Sequence, residues 1–299
     1  MTAPRITNRQ LLATCWTWAG DAAPARGDER SPVPIRDRVA AVAAAGWSGI
    51  GLLHADLQSI EAELGYPGLR SLVTDAGLQH IELEFITNWW ATGELRAASD
   101  RMRRDLFTAA EALGVTTIKV GAQLTAFGTT AVVSPEAFAE AFDALATDAG
   151  EHGVRVAVEP MPMSNLQTIE AGVEFVLSVD NPHGGLVVDT WHVRRGGTRN
   201  EALPDILPMS KVFVVELDDA DEEVRGSLWE DTINNRLDPG EGDLDTAGFV
   251  AAMHKAGWTG HWGVEIISDA QRAKPVDVAV RDTYQATMAT FDAAEASLA

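Results

Sequence analysis

The chain has 299 residues, 46% of them hydrophobic, with 44 acidic against 23 basic side chains and a formal net charge of −21 at pH 7. That length and apolar content suit one α/β barrel of about 250 residues plus loops. The negative balance repels phosphate backbones, so general binding to nucleic acids or anionic membranes is not expected.

A single cysteine, Cys15, leaves no disulfide framework and no thiolate zinc site within the chain. The N-terminus, Met-Thr-Ala-Pro-Arg-Ile, lacks the apolar core of a signal peptide. No apolar run approaches the roughly 20 residues that span a bilayer. The expectation is a cytoplasmic protein.

Glycine acts as punctuation. Gly46, Gly77, Gly114, Gly153 and Gly257 each close an Ala-rich amphipathic segment and precede a β-branched or aromatic run. Glycine there is the usual left-handed helix cap. In chain order, the pattern predicts a first strand over Leu11–Trp18 and a Pro/Gly loop, then a helix over Ile35–Ala45 and a strand over Ser48–Leu53. A helix within Leu57–Ala76, interrupted near Pro67, leads to a strand over Gln79–Phe85 and a helix over Ser99–Leu113. The fourth strand is Thr116–Val120, and the fourth helix Pro135–Glu151 has Ser134 as its N-cap. Strand Arg155–Glu159, helix Thr168–Val179, strand Gly185–Asp189 and a short helix near Glu201–Leu207 follow. Strand Lys211–Glu216 runs into a long polar loop, 218–243, before helix Asp245–Ala256, strand His261–Ile266 and helix Val276–Ala296. Eight β and eight α elements without a composition break predict one closed (β/α)8 barrel over residues 1–299, with loop 218–243 over its mouth.

Four successive strands end in a carboxylate: Glu159, Asp189, Glu216 and Glu265. In such barrels the site lies at the C-terminal strand ends. Four acids converging there raise one another's pKa, whereas a hard divalent cation between them satisfies all four. His192, three residues past Asp189, is a ligand, a substrate contact, a general acid/base or a histidine that orients a carboxylate. Lys119 is unusual in a buried strand, and it either polarises a carbonyl or pairs with Glu84 or Glu159. His54 and Glu84 are the other polar groups near strand ends, and Arg194 and Arg195 are loop arginines able to bind an oxyanion. Arg236 is the residue of the long loop best placed to reach back over the pocket. The tryptophans Trp16, Trp18, Trp89, Trp90 and Trp191 are candidates for stacking on a sugar ring or aglycone, or for packing helices on the barrel, and Trp191 is expected to form a wall of the pocket.

These pieces together resemble the xylose-isomerase-like TIM barrels, the sugar phosphate isomerase/epimerase superfamily. The resemblance rests on Val-Glu-Pro at Glu159, Val-Val-Asp-Thr-Trp-His at Asp189 and His192, and Val-Val-Glu-Leu-Asp-Asp at Glu216. It also rests on Arg-Leu-Asp-Pro-Gly-Glu-Gly-Asp from Arg236 and Gly-Val-Glu-Ile-Ile-Ser at Glu265. It implies one Mn2+ or Mg2+ ion, or Co2+, held by Glu159, Asp189, Glu216 and Glu265, with His192 and Arg236 near substrate oxygens. Glu159, His192, Lys119 and Glu265 become the candidates for handling protons, and His54, Glu84, Trp191 and Arg236 for touching substrate. Two departures stand out. The family usually has His, or in some dehydratase-like members Gln, where this chain has Glu216. Ketose 3-epimerases carry a further glutamate where this chain has Asn165.

The implied chemistry is proton abstraction next to a carbonyl through an enediolate. Reprotonation makes the enzyme an isomerase or epimerase on a sugar or keto-polyol. Loss of a β-substituent makes it a lyase on a keto-cyclitol, a dehydroshikimate or a 3-keto-glycoside. The partner expected is a small carbohydrate-like molecule. The resemblance also implies a homodimer, or a second subunit for the lyase. An endonuclease-IV-like nuclease would need a multi-histidine zinc site and a basic face, which this chain lacks. A non-catalytic barrel fits poorly with four strand-end acids and His192.

Overall fold

Residues 5–125 and 132–298 are described here from a computed structural model. The first four residues of the N-terminal stretch read above therefore lie outside the described residues. Eight parallel strands follow one another around a closed barrel: β1 Leu11–Ala13, β2 Gly49–Leu53, β3 His80–Ile86, β4 Thr117–Gly121, β5 Arg155–Glu159, β6 Gly184–Asp189, β7 Val212–Leu217 and β8 Trp262–Val264. β8 pairs with β1, Leu12 opposite Gly263, and closes the ring. The helices are α1 Ile35–Ala45, α2 His54–Asp75, α3 Gly93–Leu113, α4 Pro135–Glu151, α5 Ile169–Val179 and α6 Thr190–Arg195. They continue as α7 Leu203–Ile206, α8 Leu228–Asn234, α9 Thr246–Ala256, α10 Asp269–Arg272 and α11 Val276–Ser297. Among the described residues no helix is long and apolar enough to cross a membrane.

The apolar faces of strands and helices meet in one continuous shell that includes Ile50, Leu83, Ile118, Val156, Leu186, Val215 and Val264. Side chains alternate along a strand, so their neighbours point into the lumen. The lower lumen is apolar, filled by Ala157, Val187, Phe213 and Val214. Two residues further along the same strands the lumen turns polar, at Glu159, Asp189 and Glu216, and Lys119 joins them from β4, all of them buried. The fold thus carries the charged groups to one end.

Several boundaries differ from those read in the sequence. The first strand stops at Ala13, because Thr14 and Thr17 each donate a hydroxyl to the Val264 carbonyl, at 2.9 and 2.7 Å, and turn the chain. The break in α2 falls at Gly65, whose φ of 64° and ψ of 162° are non-helical. Pro67 instead sits in the first turn of the second half, where its missing N–H is not needed. An unforeseen helix, α6, starts directly on Asp189, whose carboxylate accepts from the His192 N–H at 2.8 Å. The long loop is pinned: Asp219 pairs with Leu237 in a short bridge, and its carboxylate accepts from the N–H groups of Gly240 and Leu244. Within it Ser227 and Glu230 cap α8 reciprocally.

Candidate functional site

The four strand-end acids converge. Glu159, Asp189, Glu216 and Glu265 each offer one oxygen, and these oxygens all lie within 4.8 Å of one another. The strand register explains this. Asp189 sits opposite Glu216, and Glu216 opposite Gly263. A Cβ at Gly263 would lie 2.9 Å from Glu216 Cγ, so glycine there leaves room for the carboxylate.

Two buried cations counter the acids. Lys119 Nζ lies 2.5 Å from Glu216 Oε1, 2.7 Å from Glu84 Oε2, and 3.5 Å from both Glu82 and Glu265. Burial alone would lower the pKa of this ammonium, but the surrounding glutamates raise it well above the usual range. Arg236 enters from the long loop and is 1% exposed. Its Nη1 donates to Asp189 at 2.8 Å and to Asp218, and lies 3.2 Å from Glu265. Thr232 Oγ1 accepts from its Nη2 at 2.9 Å.

Two cations do not balance seven acids. Burial raises the carboxyls of Glu82 and Glu265 to about 7, against the opposing pull of Lys119. Burial also holds Glu216 and Asp218 well above their ordinary values. Asp189 differs: burial would raise it, but Arg236 and His192 bring it below its ordinary value. Glu216 Oε2 is buried and accepts no hydrogen bond. Convergent hard oxygens, excess negative charge and an unsatisfied buried carboxylate oxygen fit a divalent cation held by Glu159, Asp189, Glu216 and Glu265.

His192 Nε2 lies 3.3 Å from Glu159 Oε1 and 3.2 Å from Arg236 Nη2. It faces an acceptor on one side and a donor on the other, so the ring can present there either a proton or a lone pair. A cavity of about 800 Å³ opens above these groups. Glu84, Glu159, His192, Arg236 and Glu265 reach its surface, while Asp189, Glu216 and Lys119 lie beneath it.

Other candidates are placed differently from the expectation. Trp191 does not wall the cavity. It is fully buried, its indole N–H donates to Asp231 at 3.1 Å, and the guanidiniums of Arg195 and Arg236 lie over its ring. Arg194 and Arg195 do not line the cavity either, and Arg195 instead ties the Asp221 and Glu222 carbonyls and Asp231. Lys119 does not touch the cavity, and its ammonium is consumed by carboxylates. Of the partners weighed for it, it takes Glu84 and not Glu159. His54 lies at the rim, 2.9 Å from Asp105. Trp16 and Trp90 line the cavity, whereas Trp18 and Trp89 donate their indole N–H groups to the Gly51 and Gly121 carbonyls.

Glu82, Asp218 and Trp229 were not singled out by the sequence. Glu82 is two residues before Glu84 on one strand, so alternation places both in the lumen. Asp218 stands in the same Glu-Leu-Asp-Asp run as Glu216.

Known proteins share this fold. The family model for xylose isomerase-like TIM barrels matches residues 39–287. The chain belongs to that family. It is 27% identical over 247 residues to a 3-dehydroshikimate dehydratase of Pseudomonas aeruginosa, a match covering 81% of this chain but 37% of that protein. It is 26% identical over 139 residues to an inosose isomerase of Bacillus subtilis, covering 46% of this chain and 49% of the relative. The chain thus matches less than half the length of each of these curated relatives. Among solved structures, a protein carrying a bound zinc atom superposes with a TM-score of 0.78 at 17% identity, over 94% of this chain and 97% of the other.

Proposed function

We propose that this protein is a divalent-metal-dependent enzyme that moves a proton next to the carbonyl of a sugar or keto-polyol, interconverting isomers or epimers. The observation that carries this reading is the division of the acid cluster. Glu159 and Glu265 reach the cavity, while Asp189 and Glu216 stay beneath it. When bound by the four acids, a divalent ion supplies Lewis-acid polarisation of the carbonyl and of the hydroxyl beside it. The all-oxygen donor set favours Mn2+ or Mg2+ over zinc.

Glu265 and Glu159 are the two groups placed to remove and return the proton. His192, beside Glu159, carries it onward. Arg236 and Glu84 bind substrate hydroxyls, and Lys119 holds Glu216 and Glu84 in position from below.

A β-elimination by the same first step is the second reading, and one observation favours it. Asn165, where a ketose 3-epimerase would have glutamate, does not line the cavity. Its Oδ1 accepts from the Gln123 N–H at 2.9 Å. Incubation of a keto-sugar in D2O with Mn2+ separates the two. Deuterium at the carbon next to the carbonyl with recovery of an isomer supports the first, loss of water or an aglycone supports the second, and no exchange sinks both. Glu159→Gln or Glu265→Gln should slow exchange by about 10²–10⁴-fold.

A further inference from the structure

We propose that the substrate is an uncharged molecule with two unlike ends: a hydroxylated carbonyl head on Glu159, His192 and Glu265, and an apolar ring-sized substituent on Trp16, Trp90 and Trp229. The placement of the head rests on the reaction proposed above.

The charge of the cavity sets the first condition. Its lining carries Glu29, Glu84, Glu159 and Glu265, and Arg236 is the only lysine or arginine among its described residues. That guanidinium is already committed to Asp189, Asp218, Glu265 and Thr232. His54 faces Asp105. Residues 126–131, outside the description, contain no lysine, arginine or histidine. Away from the divalent ion proposed at the four acids, a phosphate or carboxylate entering here would be desolvated beside like charges with no uncommitted lysine or arginine of the described lining to meet it.

The apolar side sets the second condition. A volume of about 800 Å³ lies within the roughly 300–1,000 Å³ of pockets that hold drug-sized ligands. A six-carbon head at the acids leaves much of it unfilled. The remainder is bounded by Trp16, Leu53, Phe85, Trp90, Met161 and Trp229. Trp90 is held in place, edge-on to Trp89 at 4.9 Å and tilted against Phe138 at 5.5 Å. A Cβ at Gly121 would lie 2.6 Å from the Phe85 ring, so glycine there makes room for that ring at the wall. Aromatic side chains and a polar floor lining one cavity match a ring bonded to a polyol.

The test is Mn2+-dependent deuterium exchange in D2O with three probes: methyl and phenyl β-D-glucopyranosid-3-uloses, and 3-dehydroshikimate. The phenyl compound should exceed the methyl compound at least tenfold in kcat/KM, chiefly through KM. 3-Dehydroshikimate, a carboxylate, should fall at least tenfold below the methyl compound. Trp90→Ala and Trp229→Ala should bring the phenyl-to-methyl ratio toward one, with Trp90→Leu as a milder variant should the first fail to fold. Exchange with equal rates for phenyl and methyl, or with 3-dehydroshikimate the fastest, overturns the two-ended uncharged substrate and leaves the reaction standing. Absence of exchange with all probes overturns the reaction. The substrate class is then decided by tryptophan fluorescence with unoxidised phenyl and methyl β-D-glucopyranosides, where a tenfold preference for phenyl upholds it and equal binding overturns it.

Discussion

Strands β5–β8 and strands β1–β3 end at the same level of the barrel but build opposite surfaces. The first group carries Glu159, Asp189 and Glu216 at or next to its tips, with Glu265 directly after β8. The second group leads into Trp16, Leu53, Phe85 and Trp90, with Glu82 and Glu84 of β3 turned to Lys119. Glu159, Asp189 and Glu216 sit on strands held by ladder pairing, and with Glu265 their oxygens lie within 4.8 Å of each other. Of the apolar groups, Trp16 and Trp90 sit on the turns that follow, where contact area matters more than position, while Leu53 and Phe85 lie at the ends of β2 and β3. An ion needs fixed donors, whereas an apolar ring needs only a dry face.

The comparison is broken most severely at Lys119, which alone reaches from β4 to acids of both β3 and β7. Lys119→Met should cost about 3–5 kcal/mol in chemical denaturation, because it leaves buried carboxylates uncompensated. Adding Glu216→Gln to it should recover part of that loss. A Lys119→Met loss below 1 kcal/mol would mean that the acids are not charged together.

A second prediction lies at the opposite end of the barrel and separates acid sensitivity of the floor from that of the mouth. His261 and His80 stack there at 4.9 Å, and burial, with His80 adding to it, lowers His261 to about 4. The folded state binds this proton less readily than the unfolded chain. Stability is therefore complete above pH 6.5 and lost as pH falls toward 4, by up to about 3 kcal/mol. His261→Gln should flatten that part of the stability profile, and an unchanged profile would refute the assignment.

Smaller effects sharpen the division. Gly263→Ala places a methyl against Glu216 Cγ and should cost about 1–3 kcal/mol while weakening Mn2+ binding in calorimetry. Trp90→Ala, on the apolar side, should leave Mn2+ affinity within about twofold, since a surface-lining tryptophan away from the ion contributes little to its field. An equal loss of metal binding in both variants would show that the halves are not independent.

The sequence displays these halves unequally. The barrel was legible because α1, α2, α3, α4 and α9 each run out at a left-handed glycine before an apolar run, Gly46 and Gly257 at φ 100° and 96° among them. The acids were legible because each stands at a strand tip. What Lys119 and Arg236 do with them was not, since these acid partners are 18 to 146 residues away in the chain. Trp191 misled because its neighbour His192 lines the cavity: on a short helix adjacent side chains point in different directions, and Trp191 turns inward to Asp231. The cavity wall was partly hidden for the same reason, as Trp229 belongs to a helix within a loop that reads as polar throughout.

The central claim is that four strand-end oxygens form one cation site, and the most direct measurement is Mn2+ titration of metal-stripped protein by calorimetry, beside Glu216→Gln. The account predicts one ion per chain in the wild type, with stabilisation of about 2.7 kcal/mol when free Mn2+ is a hundredfold above its Kd, and at least tenfold weaker binding in the variant. No saturable binding, or binding undiminished by Glu216→Gln, would contradict it.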